Sequence, residues 1–95
     1  MNKATQIYNN EYKKKKIEIY ERDGWKCVFN LDNGIQHGGL DVDHIRKRSL
    51  GGKNNKENLV TLCRLCHSVM EQIDNYTKEK ILFDILSKRY GYKYN

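Results

Sequence analysis

Two histidines, an aspartate and an asparagine carry the chemistry this sequence offers. Asp43 and His44 are adjacent, and the spacing runs His44-x13-Asn58-x8-His67. Hydrolysing a phosphodiester needs a water made nucleophilic at neutral pH. It also needs the charge on the phosphate and leaving oxygen neutralised. One side-chain base and one bound divalent cation meet both demands. Histidine, with an unperturbed pKa of about 6.5, is the natural base. Asp43 and His67 supply an oxygen and an imidazole nitrogen for the cation. A mixed site of this kind with open positions tolerates Mg²⁺, Mn²⁺, Ni²⁺ or Zn²⁺, so the residues do not fix the ion. Taken singly, a histidine is usually a surface polar group, and an asparagine before a strand is usually turn chemistry. The joint spacing weighs against that reading for His44, Asn58 and His67. His37 lies outside it and reads as a surface residue.

Local elements must hold these groups. A helix is predicted over about 9–22, with Tyr8, Tyr12 and Ile19 near one face and the lysines 13–16 solvated. Asp23-Gly24 ends it as a turn. In the strand-like stretch 40–45, alternation puts Leu40 and Val42 on one side and Asp41 and Asp43 on the other. Adjacent strand residues diverge, so Asp43 and His44 converge only at a strand end or a bulge. A polar loop follows at 47–57, with Gly51-Gly52 in it, and then a short strand at 59–62. A helix over about 64–75 carries Leu65, Val69 and Ile73 on one face, with His67, Glu71 and Asp74 pointing away from it. A last helix over about 78–90, capped by Thr77, buries Ile81, Leu82, Ile85 and Leu86 and stops at Gly91. The tail tyrosines Tyr90, Tyr92 and Tyr94 read as terminal packing, with contact to a partner as the alternative.

Size and charge narrow the choices. At 95 residues the chain is one domain, 1–95, and with 38% hydrophobic residues its core is thin enough for a structural metal to matter. A net charge of +6 favours polyanions, nucleic acid before an anionic membrane. No stretch approaches the roughly 18 apolar residues of a membrane span. The first residues contain no apolar signal core, so a cytoplasmic, membrane-free protein is expected. There are three cysteines, an odd number, and Cys63-x-x-Cys66 suits metal binding in a reducing compartment better than a disulfide framework.

The order strand, polar loop, strand, helix resembles the HNH endonuclease family, whose core is the ββα-metal or His-Me finger. The residues that carry the likeness are Asp43-His44-Ile45, Gly51-Gly52, Asn58-Leu59-Val60 and Cys63-x-x-Cys66-His67. The lead-in Arg22-Asp23-Gly24-Trp25-Lys26-Cys27 adds to them. The likeness covers about 22–70, half of the chain. It implies an α+β fold, a small ββα-metal core over about 22–75 flanked by an N-terminal and a C-terminal helix. It further implies that His44 is the general base, that Asp43 and His67 hold the catalytic cation, and that Asn58 orients His44 through nearby backbone. Some relatives carry a further ligand one helical turn after His67, where this chain has Glu71.

Many HNH proteins also hold a structural zinc between two Cys-x-x-Cys knuckles. Here the second knuckle is intact, but the first reads Cys27-Val28-Phe29-Asn30. Cys27, Cys63 and Cys66 remain, and structural zinc prefers four ligands. His37, Asn30 or a water is the candidate fourth, and the alternative is that the zinc is lost and the cysteines pack in the core. Two features speak for zinc. Cys63 and Cys66 flank a helix start, where the dipole favours thiolate, and the thin core gains from a crosslink.

Arg46, Arg48, Lys53 and Arg64 are the candidate phosphate contacts, with Lys47, Lys56, the lysines 13–16 and Arg22 adding charge. The expected function is metal-dependent hydrolysis of DNA phosphodiester bonds, with duplex DNA as partner. A single ββα site cuts one strand at a time, which leaves monomer and homodimer open. Small stand-alone HNH proteins are frequent in phage genomes. A composition rich in Lys, Asn, Ile and Tyr fits an AT-rich bacterial or phage genome, hence a bacterial or phage-infected cytoplasm. The alternative is a zinc-stabilised DNA-binding module without catalysis, which needs the knuckle but not His44. A protein–protein adaptor has no specific support in the residues.

Overall fold

The structure, a computed structural model, describes residues 3–29 and 38–94, with backbone alone for 3–9. Asn30 and His37 lie outside the described residues. The first helix, α1 (Lys3–Arg22), begins before the predicted start near Asn9. Residues 3–9 contain no glycine or proline to stop it, and no cap marked a later start. It ends at Gly24, which takes a left-handed conformation (φ 72°), while the Trp25 N–H donates back to the Tyr20 carbonyl at 2.8 Å. Trp25 itself is left-handed (φ 56°), and its indole stacks on the Tyr20 ring with centroids 4.8 Å apart.

β1 (Leu40–His44) and β2 (Leu59–Cys63) form an antiparallel pair in unbroken register, from Leu40 opposite Cys63 to His44 opposite Leu59. A two-stranded sheet is marginal on its own, so both faces need cover. Residues opposite one another share a face. Val42, Thr61, His44 and Leu59 face α1, where the Thr61 hydroxyl reaches the Ile19 carbonyl at 3.5 Å. Asp41, Leu62, Asp43 and Val60 face the two remaining helices, α2 (Arg64–Gln72) and α3 (Asn75–Tyr90). All five residues of β2 are consequently buried. The core gathers Val60, Leu62, Met70, Leu82 and Leu86 with Cys27, Val28 and Ile45.

Both C-terminal helices depart from the predicted pattern. Leu65 and Val69 were expected to face the core, yet they are 54% and 46% exposed, and Met70 is the buried residue of α2. The helix starts directly at the end of β2, with Cys63 as its N-cap: the Cys66 N–H donates to the Cys63 sulfur at 3.4 Å. That junction fixes the helix rotation so that Cys66 and Met70 look inward. The helix also stops at Gln72 rather than near Asn75. Asp74, not Thr77, caps α3. Its carboxylate accepts from the Thr77 N–H at 2.8 Å and the Thr77 hydroxyl at 2.7 Å. The buried stripe of α3 is Lys78, Leu82 and Leu86, spaced by four; Ile85 is half-buried and Ile81 is exposed. Gly91 ends the helix in the left-handed conformation (φ 73°), as its position predicts.

A polar clamp ties the end of α1 and the C-terminal tail to the hairpin. Arg22 pairs with Asp23 at 2.9 Å and donates to the carbonyls of Lys56 (2.6 Å) and Leu59 (2.8 Å). Asp23 accepts from the Thr61 N–H at 2.9 Å and from the Tyr90 hydroxyl. Burial pushes the Asp23 carboxyl up, but the hydrogen bonds from Arg22 and Tyr90 outweigh it and hold the group below its usual range. Arg22 is therefore an internal staple and not, as its charge suggested, a surface cation for nucleic acid. The Tyr94 hydroxyl donates to the Glu57 carbonyl at 2.6 Å, so the tail packs on the domain. Among the described residues no helix is long and apolar enough to cross a membrane.

Candidate active site

The end of β1 and the first turns of α2 and α3 converge on an open cleft of about 460 Å³. Asp43, the fourth residue of β1, points toward α2 and is buried. His67, in the first turns of α2, sets its Nε2 at 3.3 Å from Asp43 Oδ1 and 3.4 Å from Glu71 Oε1. Glu71 follows His67 by four residues and so shares its helical face. Ligand atoms of Asp43, His67 and Glu71 all lie within 4.8 Å of one another. Two carboxylates and an imidazole, open on the cleft side, fit a divalent cation with free positions.

Three residues that sequence reasoning passed over complete the centre. Asp41 faces the other ring nitrogen of His67, Nδ1, at 3.4 Å. With Nδ1–H donated to Asp41, the Nε2 lone pair is turned toward Asp43 and Glu71, the usual way a carboxylate fixes a ligating histidine. The strand alternation that grouped Asp41 with Asp43 held this signal. Asn54 accepts from His44 Nε2 through its amide oxygen. An amide oxygen only accepts, so Nε2 carries the proton and Nδ1 keeps its lone pair. Lys78, buried on α3, brings its ammonium to 2.9 Å from Asp43 Oδ2 and 3.4 Å from Glu71 Oε1. The Asp43 contact is an ion pair without hydrogen-bond alignment. Burial pushes the Glu71 carboxyl up, but the Lys78 charge, with help from Lys47 and His67, overrides it and holds the group below its ordinary value.

His44 is the last residue of β1, and its ring lies 5.7 Å from that of Tyr12. It leaves the sheet on the opposite face to Asp43, yet both border the cleft because the strand ends there. Asn58 acts on the backbone that follows His44, as the resemblance implies. Its oxygen accepts from the Arg46 N–H at 2.8 Å, and its amide donates to the carbonyls of Arg46 (3.1 Å) and Lys53 (3.0 Å). This pins both ends of the segment that carries the short 3-10 turn Arg48–Leu50. Gly52 is required there: a Cβ would fall 1.8 Å from the Arg46 carbonyl oxygen.

Of the candidate phosphate contacts, Arg48 borders the cleft, together with Lys47. Arg46 is paired with Glu79 at 2.8 Å and, with Lys53, lines a different, larger cleft of about 680 Å³ that contains no metal-ligating cluster among the described residues. Arg64 reaches Asp41 at 3.7 Å and stays largely exposed.

A second donor cluster lies in the core. Cys27, Cys63 and Cys66 bring their sulfurs within 4.8 Å of one another. Burial, hydrogen bonding and the neighbouring sulfurs push the Cys66 thiol up to about 12. The proposed fourth ligands, His37 and Asn30, fall outside the described residues.

Residues 27–70 match the model of the HNH endonuclease family. That segment, a little under half of the chain, is similar to the HNH family. No curated protein and no solved structure shows a significant match to it. The matched HNH segment contains both strands, the pinned loop, all three cysteines, Asp43, His44, Asn58 and His67. It stops at Met70, one residue before Glu71 and eight before Lys78.

Proposed function

We propose that this protein is a metal-dependent HNH endonuclease that hydrolyses DNA phosphodiester bonds. The observation that carries the reading is the convergence of Asp43, His67 and Glu71 beside His44 in one open cleft. A divalent cation bound there would supply Lewis-acid stabilisation of the phosphate and of the leaving oxygen. Asp43, His67 and Glu71 would hold it, with Asp41 fixing the tautomer of His67. His44 would act as general base. Its Nε2 proton is committed to Asn54, so Nδ1 would take the proton from the attacking water. Asn58 acts at one remove, by pinning the Arg46 and Lys53 backbone that follows His44. Lys47 and Arg48, at the rim of the same cleft, would draw in the phosphate backbone. Cys27, Cys63 and Cys66 would hold a structural zinc, with its fourth ligand supplied from elsewhere.

The test is plasmid cleavage. Supercoiled DNA is expected to be nicked with Mg²⁺ or Mn²⁺ and left intact with chelator. His44→Ala is expected to slow nicking by about 10²–10⁴-fold, the usual contribution of a general base, with its circular dichroism unchanged. DNA binding without cleavage across several metals would instead favour the zinc-stabilised binding module.

A further inference from the structure

Lys78 is the only buried cationic side chain among the described residues, at 1% exposure. Its ammonium has three partners: Asp43 Oδ2 at 2.9 Å, Glu71 Oε1 at 3.4 Å and the His44 carbonyl oxygen at 3.1 Å. Two of these belong to the proposed cation ligands, and the third is the backbone of the proposed base. We propose that Lys78 is a built-in counter-ion of this centre, which competes with the divalent cation for Asp43 and Glu71 and keeps that cation exchangeable. The inference rests on the reading of Asp43, His67 and Glu71 as a cation site.

The geometry makes the competition permanent. Asp43 divides its oxygens, Oδ2 to Lys78 and Oδ1 toward His67. That leaves one oxygen for a cation. Asp43 and Glu71 together bring two negative charges, and Lys78 cancels one of them at contact distance. Coulomb attraction for a dication falls accordingly, and more steeply in a partly dry site than in water. The Lys78 side chain is 2% exposed, so its ammonium stays with these partners. Asp74 caps the helix four residues earlier, and the Lys78 stem continues the buried stripe of Leu82 and Leu86. Lys47, by contrast, lies 3.9 Å from Glu71 on a half-exposed side chain and can swing away. Lys78 also offsets the repulsion between the carboxylates, so the fold does not depend on the cation. It stands outside the matched segment 27–70, so it is a feature of this chain's own third helix.

Lys78→Met keeps most of the stem and removes the charge. Mn²⁺ is the probe, because it suits oxygen and imidazole donors and not thiolates. Titration calorimetry on chelator-treated protein is expected to show Mn²⁺ binding at least about tenfold tighter in Lys78→Met than in wild type. The variant's metal-free melting temperature is expected to fall by about 10 °C or more, with Mn²⁺ restoring much of it. Equal or weaker Mn²⁺ binding by the folded variant would overturn the proposal while leaving the cation site itself intact. If the variant folds only when Mn²⁺ is added, seen by circular dichroism, the proposal stands; if saturating Mn²⁺ fails to fold it, the proposal falls. Absence of Mn²⁺ binding in both proteins would overturn the cation site and this inference together.

Discussion

Two clusters of metal-capable groups occur among the described residues, built around the same strand–helix junction but with opposite characters. Cys27 and Cys63 are fully buried, and with the half-buried Cys66 they form an all-sulfur cluster against the core. Asp43, His67 and Glu71 form a nitrogen–oxygen cluster whose outer side opens on a cleft. Closed sites hold a fold together, whereas open ones leave positions for water and substrate. Only three residues separate Cys63 from His67, so one short stretch feeds both. The turn into α2 divides them, sending the sulfurs inward and the imidazole toward the cleft.

That contrast predicts separable losses. The largest effect is expected at the open cluster: His67→Ala should slow nicking by about 10²–10³-fold, equivalent to roughly 3–4 kcal/mol of transition-state stabilisation. Its zinc content and melting temperature should match wild type, and a large loss of either would break the division. Cys66→Ser should do the reverse. Elemental analysis is expected to find the tightly bound zinc gone, and denaturant unfolding to show a loss of about 3 kcal/mol. Mn²⁺ affinity at the open cluster should be kept. Equal zinc in both proteins would reject the sulfur site.

Asp23 sharpens the comparison from outside, since its network supports the fold and touches neither cluster. Asp23→Asn is expected to remove about 2 kcal/mol of stability at neutral pH. The folded-state pKa of Asp23 is depressed, so its contribution is complete above its ordinary value of 3.8 and lost as pH falls through the lower folded value. Acid unfolding of wild type should therefore steepen in that window, and the variant's profile should be flatter there. The smallest effect belongs to Arg48 at the cleft rim. Arg48→Ala should reduce the salt slope of DNA binding by about one and weaken binding by about 1 kcal/mol, without sequence preference.

The ββα order was legible from local pattern, whereas grouping Asp43 with His67, 24 residues apart, came from the resemblance. Asp43-His44 ends a strand, and His67 and Glu71 are one helical turn apart. Lys78 was not legible, because a lysine near a helix start reads as solvated. Its place in the 78–82–86 spacing became meaningful only once Leu82 and Leu86 were known to define the buried face. The apolar pattern of α2 misled for a related reason. Leu65 and Val69 have the right period, but the Cys63 cap sets the rotation, which turns Cys66 and Met70 toward the core and His67 toward the cleft, while Ile73 packs on the core as expected. Asn54 was missed, and Arg22 was read as a surface cation, because their partners, His44 and the Leu59 carbonyl, are distant in sequence or lie on the backbone. The left-handed Trp25 left no mark in the sequence, and nothing in the described structure beyond its stacking on Tyr20 accounts for it.

The clamp around Arg22 and Asp23 also bears on how the domain comes apart. It joins the end of the first helix, the middle of the second strand and the last tyrosines through charged and hydroxyl contacts. Loosening any one of these releases donors and acceptors in the other two, so fraying at the carboxyl end should propagate to the Thr61 amide rather than stay local. Hydrogen exchange at that amide should accordingly report global unfolding, making the tail around Tyr90 part of the cooperative unit.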